Sequence, residues 1–325
     1  MGIARRGLLG GGAAALLAGG ALAQTAAPWP SRPIRLIVPF AAGGAADSAA
    51  RAITPRMAER LGQQFVVDNR TGASGSVGGG AVAQAAPDGT TLLWDASSHL
   101  VNPALMRGLP FDYATAFTPV SLVVTFPGLL AVKSGFPTGS VAEFIAAAKA
   151  RPGAISVGTQ GNATAGHLGL LQFARLAGIE VIHVPYRGGT DAARDLAAGS
   201  VDAVFTTTVS AGPVVDSGRA RALAVTSLAR APSRPDVPTL HESGFPGFDS
   251  SEWAGLFGPA GLPAAIAAQL HLALEEALAD QAVRARLAQI GAVPVGSAPA
   301  DFARFVHQGR EAMARLVREA NIRLE

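Results

Sequence analysis

The sequence predicts an α/β protein with two lobes. Short apolar segments alternate with helical segments in a strand, helix, strand order, which is typical of a parallel sheet with helices on both faces. This order begins at Ile34 and starts again at Gly128. Of the 325 residues, about 300 follow the N-terminal leader described below, a length that favours two domains over a single core.

The first series contains three strands separated by two helices. The strands are predicted at residues 34–38, 65–68 and 91–94, and the helices at residues 47–61 and 75–86. A loop with Gly43 and Gly44 joins the first strand to the first helix, which Gly62 is expected to end. This strand, glycine loop and helix form the first candidate binding element.

The second series repeats the alternation. Its strands are predicted at residues 128–132, 155–157, 181–184, 203–205 and 222–225, and its helices at residues 141–150, 167–177 and 191–198. The proline-rich stretch 230–238 is expected to return the chain to the first lobe, and residues 257–263 to form a further turn. Two amphipathic helices, at residues 264–279 and 299–320, are expected to cover one lobe.

These boundaries predict four segments along the chain. Residues 1–23 are expected to be a signal peptide, with Arg5 and Arg6 before an apolar run and an Ala-Leu-Ala cleavage pattern at its end. The segments 24–126 and 229–325 are assigned to the first lobe and 127–228 to the second. The export route, Sec or twin-arginine, stays open because paired arginines occur in both kinds of signal. The mature chain is expected to be soluble and periplasmic.

Composition excludes several classes of function. The absence of cysteine removes disulfides, thiolate catalysis and cysteine-ligated metals. No run of Lys and Arg interleaved with aromatic residues is present, so nucleic-acid binding is not expected. The sequence contains neither a G-x-S-x-G elbow nor an H-E-x-x-H pair, and a secreted hydrolase is therefore the weaker alternative. We predict no catalytic residue, no metal and no cofactor.

The first candidate binding element is the segment from Phe40 to Asp47. Gly43 and Gly44 let backbone N–H groups approach a ligand, and the N-terminus of the following helix favours negative charge. The alternative is a tight turn in which Asp47 only complements the helix dipole. The segment lacks both the G-x-G-x-x-G and the Walker patterns, so nucleotide binding is disfavoured.

Three further segments are candidates. The loop from Gly158 to His167 opens a helix with hydroxyl, amide and imidazole groups, although Asn162 or Thr164 can equally cap that helix. Arg187 follows a predicted strand and can pair with a carboxylate through its planar guanidinium group, or simply be exposed beside a turn. The segment 95–99 also follows a strand, where open α/β sheets place ligands, or else forms a turn.

At these residues the chain closely resembles the substrate-binding proteins of tripartite tricarboxylate transporters, the Bug-type periplasmic receptors. The resemblance runs from about Trp29 to the C-terminal helices. Its marks are residues 29–34, 37–40 with 43, 44 and 47, 69–70 with 72, 86–89, 102–105, 161–162 with 167–168, 183–188, 222–226 and 235–239. Each is weak alone, and the ordered set is specific.

The resemblance implies a periplasmic binding protein of the type II-like, Venus flytrap kind, with two crossovers between the lobes. It implies that a ligand carboxylate is gripped in the cleft by backbone amides, hydroxyl groups and waters. Carried over residue by residue, the contacts would be Phe40, Ala41, Gly43, Gly44, Asp47, Ser97, Ser98, Thr159, Gly161, Asn162, Thr164, His167 and Tyr186, with Arg187 and Thr207 nearer the part that sets specificity.

Three departures from the family pattern limit this transfer. Ala45 and Ala46 replace a common Gly-Thr pair, Ala165 and Gly166 replace a usual Thr-Ser, and the 206–208 threonines stand where an acidic residue and an asparagine are common. The expected ligand is a small organic carboxylate, with its other end open: a di- or tricarboxylate, an amino acid or an aromatic acid. The expected partner is the set of membrane permease subunits of such a transporter, or alternatively a signalling sensor, and the receptor is expected to be a monomer.

Overall fold

The structure is a computed structural model that describes residues 29–162 and 164–319. The predicted signal peptide, residues 1–23, lies outside the described residues. The strands are β1 Ile34–Val38, β2 Phe65–Asn69, β3 Thr91–Asp95, β4 Phe117–Phe126, β5 Gly128–Lys133, β6 Ser156–Thr159, β7 Ile182–Pro185, β8 Ala203–Thr207, β9 Ala220–Val225, β10 Glu252–Pro259 and β11 Val293–Pro294. The α-helices are α1 Ala45–Leu61, α2 Ser76–Ala83, α3 Ser98–Leu105, α4 Val141–Ala150, α5 Ala165–Ala177, α6 Gly189–Ala198, α7 Thr208–Asp216, α8 Ala264–Ala279, α9 Gln281–Gln289 and α10 Pro299–Glu319.

The strands form two separate mixed sheets. The first sheet has the order β11-β4-β10-β3-β1-β2, and the second has the order β7-β6-β8-β5-β9. Strands that the sequence analysis placed in strand, helix, strand series are parallel. Strand β1 pairs with β2 and β3, and β6 pairs with β7 and β8. The remaining pairs, β10 with β3 and β4, β11 with β4, and β5 with β8 and β9, are antiparallel. The parallel arrangement expected for β1, β2 and β3 is confirmed, and the antiparallel strands extend each sheet beyond the parallel units.

Both faces of each sheet are covered by apolar side chains. In β1, Leu36 packs with α1 and α8, whereas its neighbour Ile37 faces the opposite cluster with Phe302 of α10. This alternation follows from the two-residue period of a strand. In the second sheet, Leu130 packs in the cluster that contains residues of α4 and α5, and Leu129 packs in the cluster that contains residues of α6 and α7. The predicted two-faced α/β packing is confirmed.

The chain passes between the sheets twice. Strand β4 ends at Phe126 and β5 begins at Gly128, so the first crossing is short. The second lies between β9 and β10, and in this segment Leu240 and Phe248 still pack in the core of the second sheet. The division of the chain at 126/127 and 228/229 stays a prediction, and this packing favours a second limit nearer to residue 250.

Several elements were missing from the sequence-based prediction. Helices α3, α7 and α9 and the long strands β4 and β10 are all present. The predicted turn at 257–263 was wrong over its first three residues, which end β10: Phe257 pairs with Pro119 and Gly258 with Thr118. A glycine followed by a proline is typical of turns. Pro259 can nevertheless end this strand, because a proline lacks the backbone N–H group and the last residue of a strand can do without that donor.

Candidate functional site

A cavity of about 600 Å³ lies between the two sheets. Its walls come from the loops after β1, β2 and β3 of the first sheet, the loops after β6 and β7 of the second, helix α3 and the start of β10. Most of these loops follow the carboxyl ends of parallel strands, where α/β sheets place ligands. The predicted site residues that line it are Phe40, Ala41, Gly44, Ser97, Ser98, Asn162, Thr164 and Arg187.

Asp47 shapes the loop after β1 and does not line the cavity. Its buried carboxylate accepts hydrogen bonds from the Gly43 N–H group at 2.8 Å, from Asn69 Nδ2 at 2.9 Å and from Arg51 Nε at 2.9 Å. Burial alone would raise the pKa of Asp47, but the hydrogen bonds from Arg51, Gly43 and Asn69 hold that pKa below its ordinary value. Gly43, at φ +79°, also lies outside the cavity wall.

The loop after β3 brings two serines to the cavity. Ser98 Oγ donates to Asp95 Oδ1 at 3.0 Å, and the other oxygen of Asp95 lies 3.0 Å from His99 Nδ1. Ser97 Oγ donates to Glu252 Oε1 at 2.5 Å. Both hydroxyl hydrogens therefore bind protein carboxylates, and in this arrangement each serine presents oxygen lone pairs to the cavity.

Glu252 is a cavity residue that sequence reasoning missed. It begins β10, lies half-buried, and lines the cavity together with its neighbour Trp253. Burial raises the pKa of the Glu252 carboxyl, while hydrogen bonds from Ser97 and from the N–H groups of Ser97, Trp253 and Ala165 oppose the rise. Its separation from Ser97 by more than 150 residues left no local signal in the sequence.

The second sheet contributes its loops after β6 and β7. Thr164 Oγ1 accepts from the His167 N–H group at 3.4 Å and donates to the Gly161 carbonyl at 2.8 Å, so Thr164 is the N-cap of α5. Helix capping, which the sequence analysis gave as the alternative to ligand binding, is therefore observed for Thr164. Asn162 and Arg187 are exposed where they reach the cavity wall, and Arg187 is the cation of that wall among the described residues.

The other predicted contacts of the second sheet bond to or stack on other protein groups. Thr159 Oγ1 is 2.7 Å from His183 Nε2, and the His183 ring stacks on His167 with centroids 3.9 Å apart. Burial, with a smaller contribution from His183, lowers the pKa of His167 to about 4. Tyr186 donates its hydroxyl to Asp195 Oδ2 at 3.0 Å.

Gly161 and Thr207 complete this group. The Gly161 N–H group donates to Thr159 Oγ1 at 3.3 Å, with Gly161 at φ +130°. Thr207 caps α7 by accepting from the Ser210 N–H group at 3.3 Å. The wall of the 600 Å³ cavity includes none of these five predicted contacts, which are Thr159, Gly161, His167, Tyr186 and Thr207. A role as ligand contacts therefore stays a prediction for them, as it does for the lining residues.

Two further cavity residues carry buried acceptor oxygens. Asn102 is 1% exposed, and its Nδ2 donates to the Ser74 carbonyl at 2.8 Å and to the Tyr113 hydroxyl at 3.0 Å. Within the described part of the chain, Asn102 Oδ1 and Gln160 Oε1 are buried without a hydrogen-bond partner. Buried polar atoms are normally satisfied, so these two oxygens are exceptions to that rule.

Residues 29–162 and 164–319 contain neither a metal-ion site nor a membrane-spanning helix. No group of three or more His, Cys, Asp or Glu residues there is arranged to hold a metal ion. No helix in the same ranges has the length and apolar character needed to cross a membrane.

The family comparison gives a direct match. Residues 49–322 match the model of the tripartite tricarboxylate transporter family receptor. The chain belongs to this family. Bordetella pertussis protein BugT is 35% identical over 310 residues, which cover 95% of each chain. The family resemblance and the solute-binding receptor role expected from the sequence are thereby confirmed, and this is a family of periplasmic receptors.

Two solved structures share both the fold and a third of the sequence. Rhodopseudomonas palustris Rpa4515 with adipate is 35% identical, with a TM-score of 0.77 over 91% of this chain and 99% of that one. MatC (Rpa3494) from Rhodopseudomonas palustris with bound malate is also 35% identical, with a TM-score of 0.73 over 89% and 100%. The two-lobed periplasmic-binding-protein fold is confirmed.

Proposed function

We propose that this receptor captures a small organic carboxylate in the cavity between its two sheets and delivers it to the membrane subunits of a tripartite tricarboxylate-type transporter. The cavity of about 600 Å³ lies within the range of roughly 300 to 1,000 Å³ that small-molecule sites occupy. Adipate and malate, the ligands of the two similar structures, are both small carboxylates.

The observation that carries the proposal is the positive electrostatic character of the part of the cavity wall formed by Ala45, Ala46 and Arg187. Ala45 and Ala46 line the cavity in the first turn of α1, where backbone N–H groups have no carbonyl partner inside the helix. Those groups and the helix dipole favour an anion. Arg187 faces the same cavity from the second sheet and supplies a full positive charge.

The arrangement of Ser98, Asp95 and His99 supports binding rather than hydrolysis. Ser98 and His99 each bond to Asp95, so the serine hydroxyl hydrogen is directed to the carboxylate. A nucleophilic serine needs a general base within hydrogen-bonding reach of its hydroxyl, and in a Ser-His-Asp triad that base is the histidine and not the aspartate. His99 is 1% exposed and its ring stacks on Phe257 at 4.1 Å. This cluster therefore braces the loop that forms the cavity wall.

We further propose that export precedes function. The chain would lose residues 1–23, bind its ligand in the periplasm as a monomer, and close its two sheets around the ligand before meeting the permease subunits. Closure around a bound ligand is the usual behaviour of two-lobed binding proteins.

Isothermal titration calorimetry of the processed chain with succinate, malate, adipate and monocarboxylates tests the proposal. At least one carboxylate is expected to bind, and Arg187→Gln is expected to weaken that binding about tenfold, the value of a charge-assisted hydrogen bond at a partly solvated site. The matched control is Arg151→Gln, since Arg151 is an exposed arginine outside the cavity wall. Absence of heat with every carboxylate would refute the proposal.

A further inference from the structure

The two crossings between the sheets lie side by side. In the first sheet, Phe126 at the end of β4 pairs with Glu252 at the start of β10. On the side of the second sheet, the Thr226 N–H group donates to the Gly128 carbonyl at 2.9 Å, and the Ser250 N–H group donates to the Thr226 carbonyl at 2.8 Å. A hinge between lobes needs only a few residues whose φ and ψ change. Contacts near Glu252 therefore bear on how the two sheets are oriented.

The Glu252 carboxylate is hydrogen-bonded to groups of both lobes. On the side of the first sheet it accepts from Ser97 Oγ at 2.5 Å and from the Ser97 N–H group. On the side of the second sheet it accepts from the N–H group of Ala165, the first residue of α5. Ser250 Oγ adds a second contact there by donating to the Ala165 carbonyl at 3.3 Å. Hydrogen bonds to a charged acceptor are of the stronger kind. We call the bonds of Glu252 to Ser97 and Ala165 the Glu252 bridge.

Both ends of the Glu252 bridge adjoin the cavity wall. Ser97 lines the cavity itself, between the lining residues Ala96 and Ser98. Ala165 follows Thr164, which caps α5 and lines the cavity from the second sheet. The bridge therefore fixes the spacing between two parts of the wall that come from different sheets.

We propose that Glu252 is a positioning residue whose bridge holds the loop after β3 and the N-terminus of α5 at the spacing at which the cavity binds a carboxylate. The inference deepens the proposed function and rests on it for the ligand. Without the bridge the two sheets sample a wider range of orientations, and the apparent affinity falls with the fraction of molecules that keeps the binding arrangement. A purely electrostatic role predicts the opposite sign, because removing a negative charge from the cavity wall would tighten the binding of an anion.

Two variants break the bridge to different extents. Glu252→Gln keeps the shape of the side chain but replaces one acceptor oxygen with an NH2 group, which cannot accept the hydrogen bonds that end there. Ser97→Ala removes one donor and leaves the Ala165 end intact. Glu180→Gln is the matched control for charge removal, since Glu180 is exposed and outside the cavity wall. Far-UV circular dichroism and thermal unfolding verify that each variant is folded.

Spin labels report the orientation of the sheets directly. The chain contains no cysteine, so Val66→Cys in β2 and Leu176→Cys in α5 place one label on each lobe, both at exposed positions. Double electron–electron resonance of the unliganded protein measures the distribution of distances between the labels, with and without each bridge variant. Calorimetry of the unlabelled, processed chain with succinate, malate and adipate measures the affinity.

Glu252→Gln is expected to broaden the distance distribution and to weaken carboxylate binding about tenfold, the loss that follows when about a tenth of the molecules keeps the binding arrangement. Ser97→Ala is expected to change both quantities in the same direction by less, and Glu180→Gln to change neither.

An unchanged distance distribution in both bridge variants, or tighter carboxylate binding by Glu252→Gln, overturns the proposal. Should Glu252→Gln fail to fold, Ser97→Ala decides by the same two measurements. If the wild type binds no carboxylate, the proposed capture fails, whereas the distance distributions still decide whether the Glu252 bridge orients the sheets.

Discussion

Replacing Asp47 with alanine tests how the loop after β1 is held. The Asp47 carboxylate joins three donors: the Gly43 N–H group, Asn69 Nδ2 and Arg51 Nε. It stands in the first turn of α1, where a negative charge also complements the helix dipole. The substitution removes all of these interactions and leaves the Asn69–Phe40 hydrogen bond as the remaining side-chain tie between β2 and the loop.

The expected loss follows from the exposure of each donor. A hydrogen bond to a charged group contributes about 1.5 to 3 kcal/mol, and an exposed ion pair less than about 1 kcal/mol. Arg51 is 51% exposed and Gly43 is exposed, so water replaces much of what they lose. Asn69 also donates to the Phe40 carbonyl at 3.0 Å and keeps that bond. We therefore expect Asp47→Ala to lower the free energy of unfolding by about 2 kcal/mol at pH 7.

Urea unfolding followed by tryptophan fluorescence measures this difference, with Glu180→Ala as an exposed acidic control expected to change it by less than about 0.5 kcal/mol. The pKa of Asp47 is lowered in the folded state, so its contribution is present above the ordinary value near 4 and is lost as the pH falls through the folded value. The free energies of unfolding of the wild type and of Asp47→Ala should therefore converge in acid. A loss at pH 7 no larger than that of the control, or a difference that persists unchanged in acid, would refute this account.

Two other predictions concern the second sheet and the core of the first. His167, whose pKa is lowered to about 4, binds a proton more readily unfolded than folded, so stability should fall from pH 6.5 to 4 by on the order of 3 kcal/mol. Urea titrations across that range should show a flatter profile for His167→Gln, and equal slopes would contradict the assignment. In Gly255→Ala the added Cβ would lie 2.2 Å from the Phe302 ring, which predicts about 1 to 3 kcal/mol of destabilisation, whereas Gly135→Ala meets open space and should be neutral.

The elements that the sequence predicted well carry their signal locally. Helix α4 begins after Ser140, whose side chain accepts from the Glu143 N–H group, and helix α8 has apolar residues at helical spacing. Both match their predicted bounds. Strand β10 had no such signal, because it lies between β3 and β4 and pairs with residues far away in the chain. Its glycines and its final proline resemble a turn when read without those partners.

The candidate site divides in the same way. Glycine loops that open helices place Gly44 and Thr164 at the cavity from local pattern alone. The position of Glu252 depends on a crossing between the two sheets and on its contact with Ser97, and neither is encoded within a short window of sequence. Asn102 was noted only as part of a family motif, and its unpaired oxygen became evident only from the two contacts of its amide nitrogen.

Both glycine loops that were expected to hold a ligand carboxylate already hold carboxylates of the protein. The Gly43 N–H group binds Asp47, and the N–H group of Ala165, at the start of α5, stabilises the charged form of Glu252. A ligand anion therefore competes with protein carboxylates at these two N–H groups, whereas Arg187 supplies a positive charge on the cavity wall. We infer that the ligand carboxylate docks beside Arg187 and not on the Gly43 and Ala165 N–H groups.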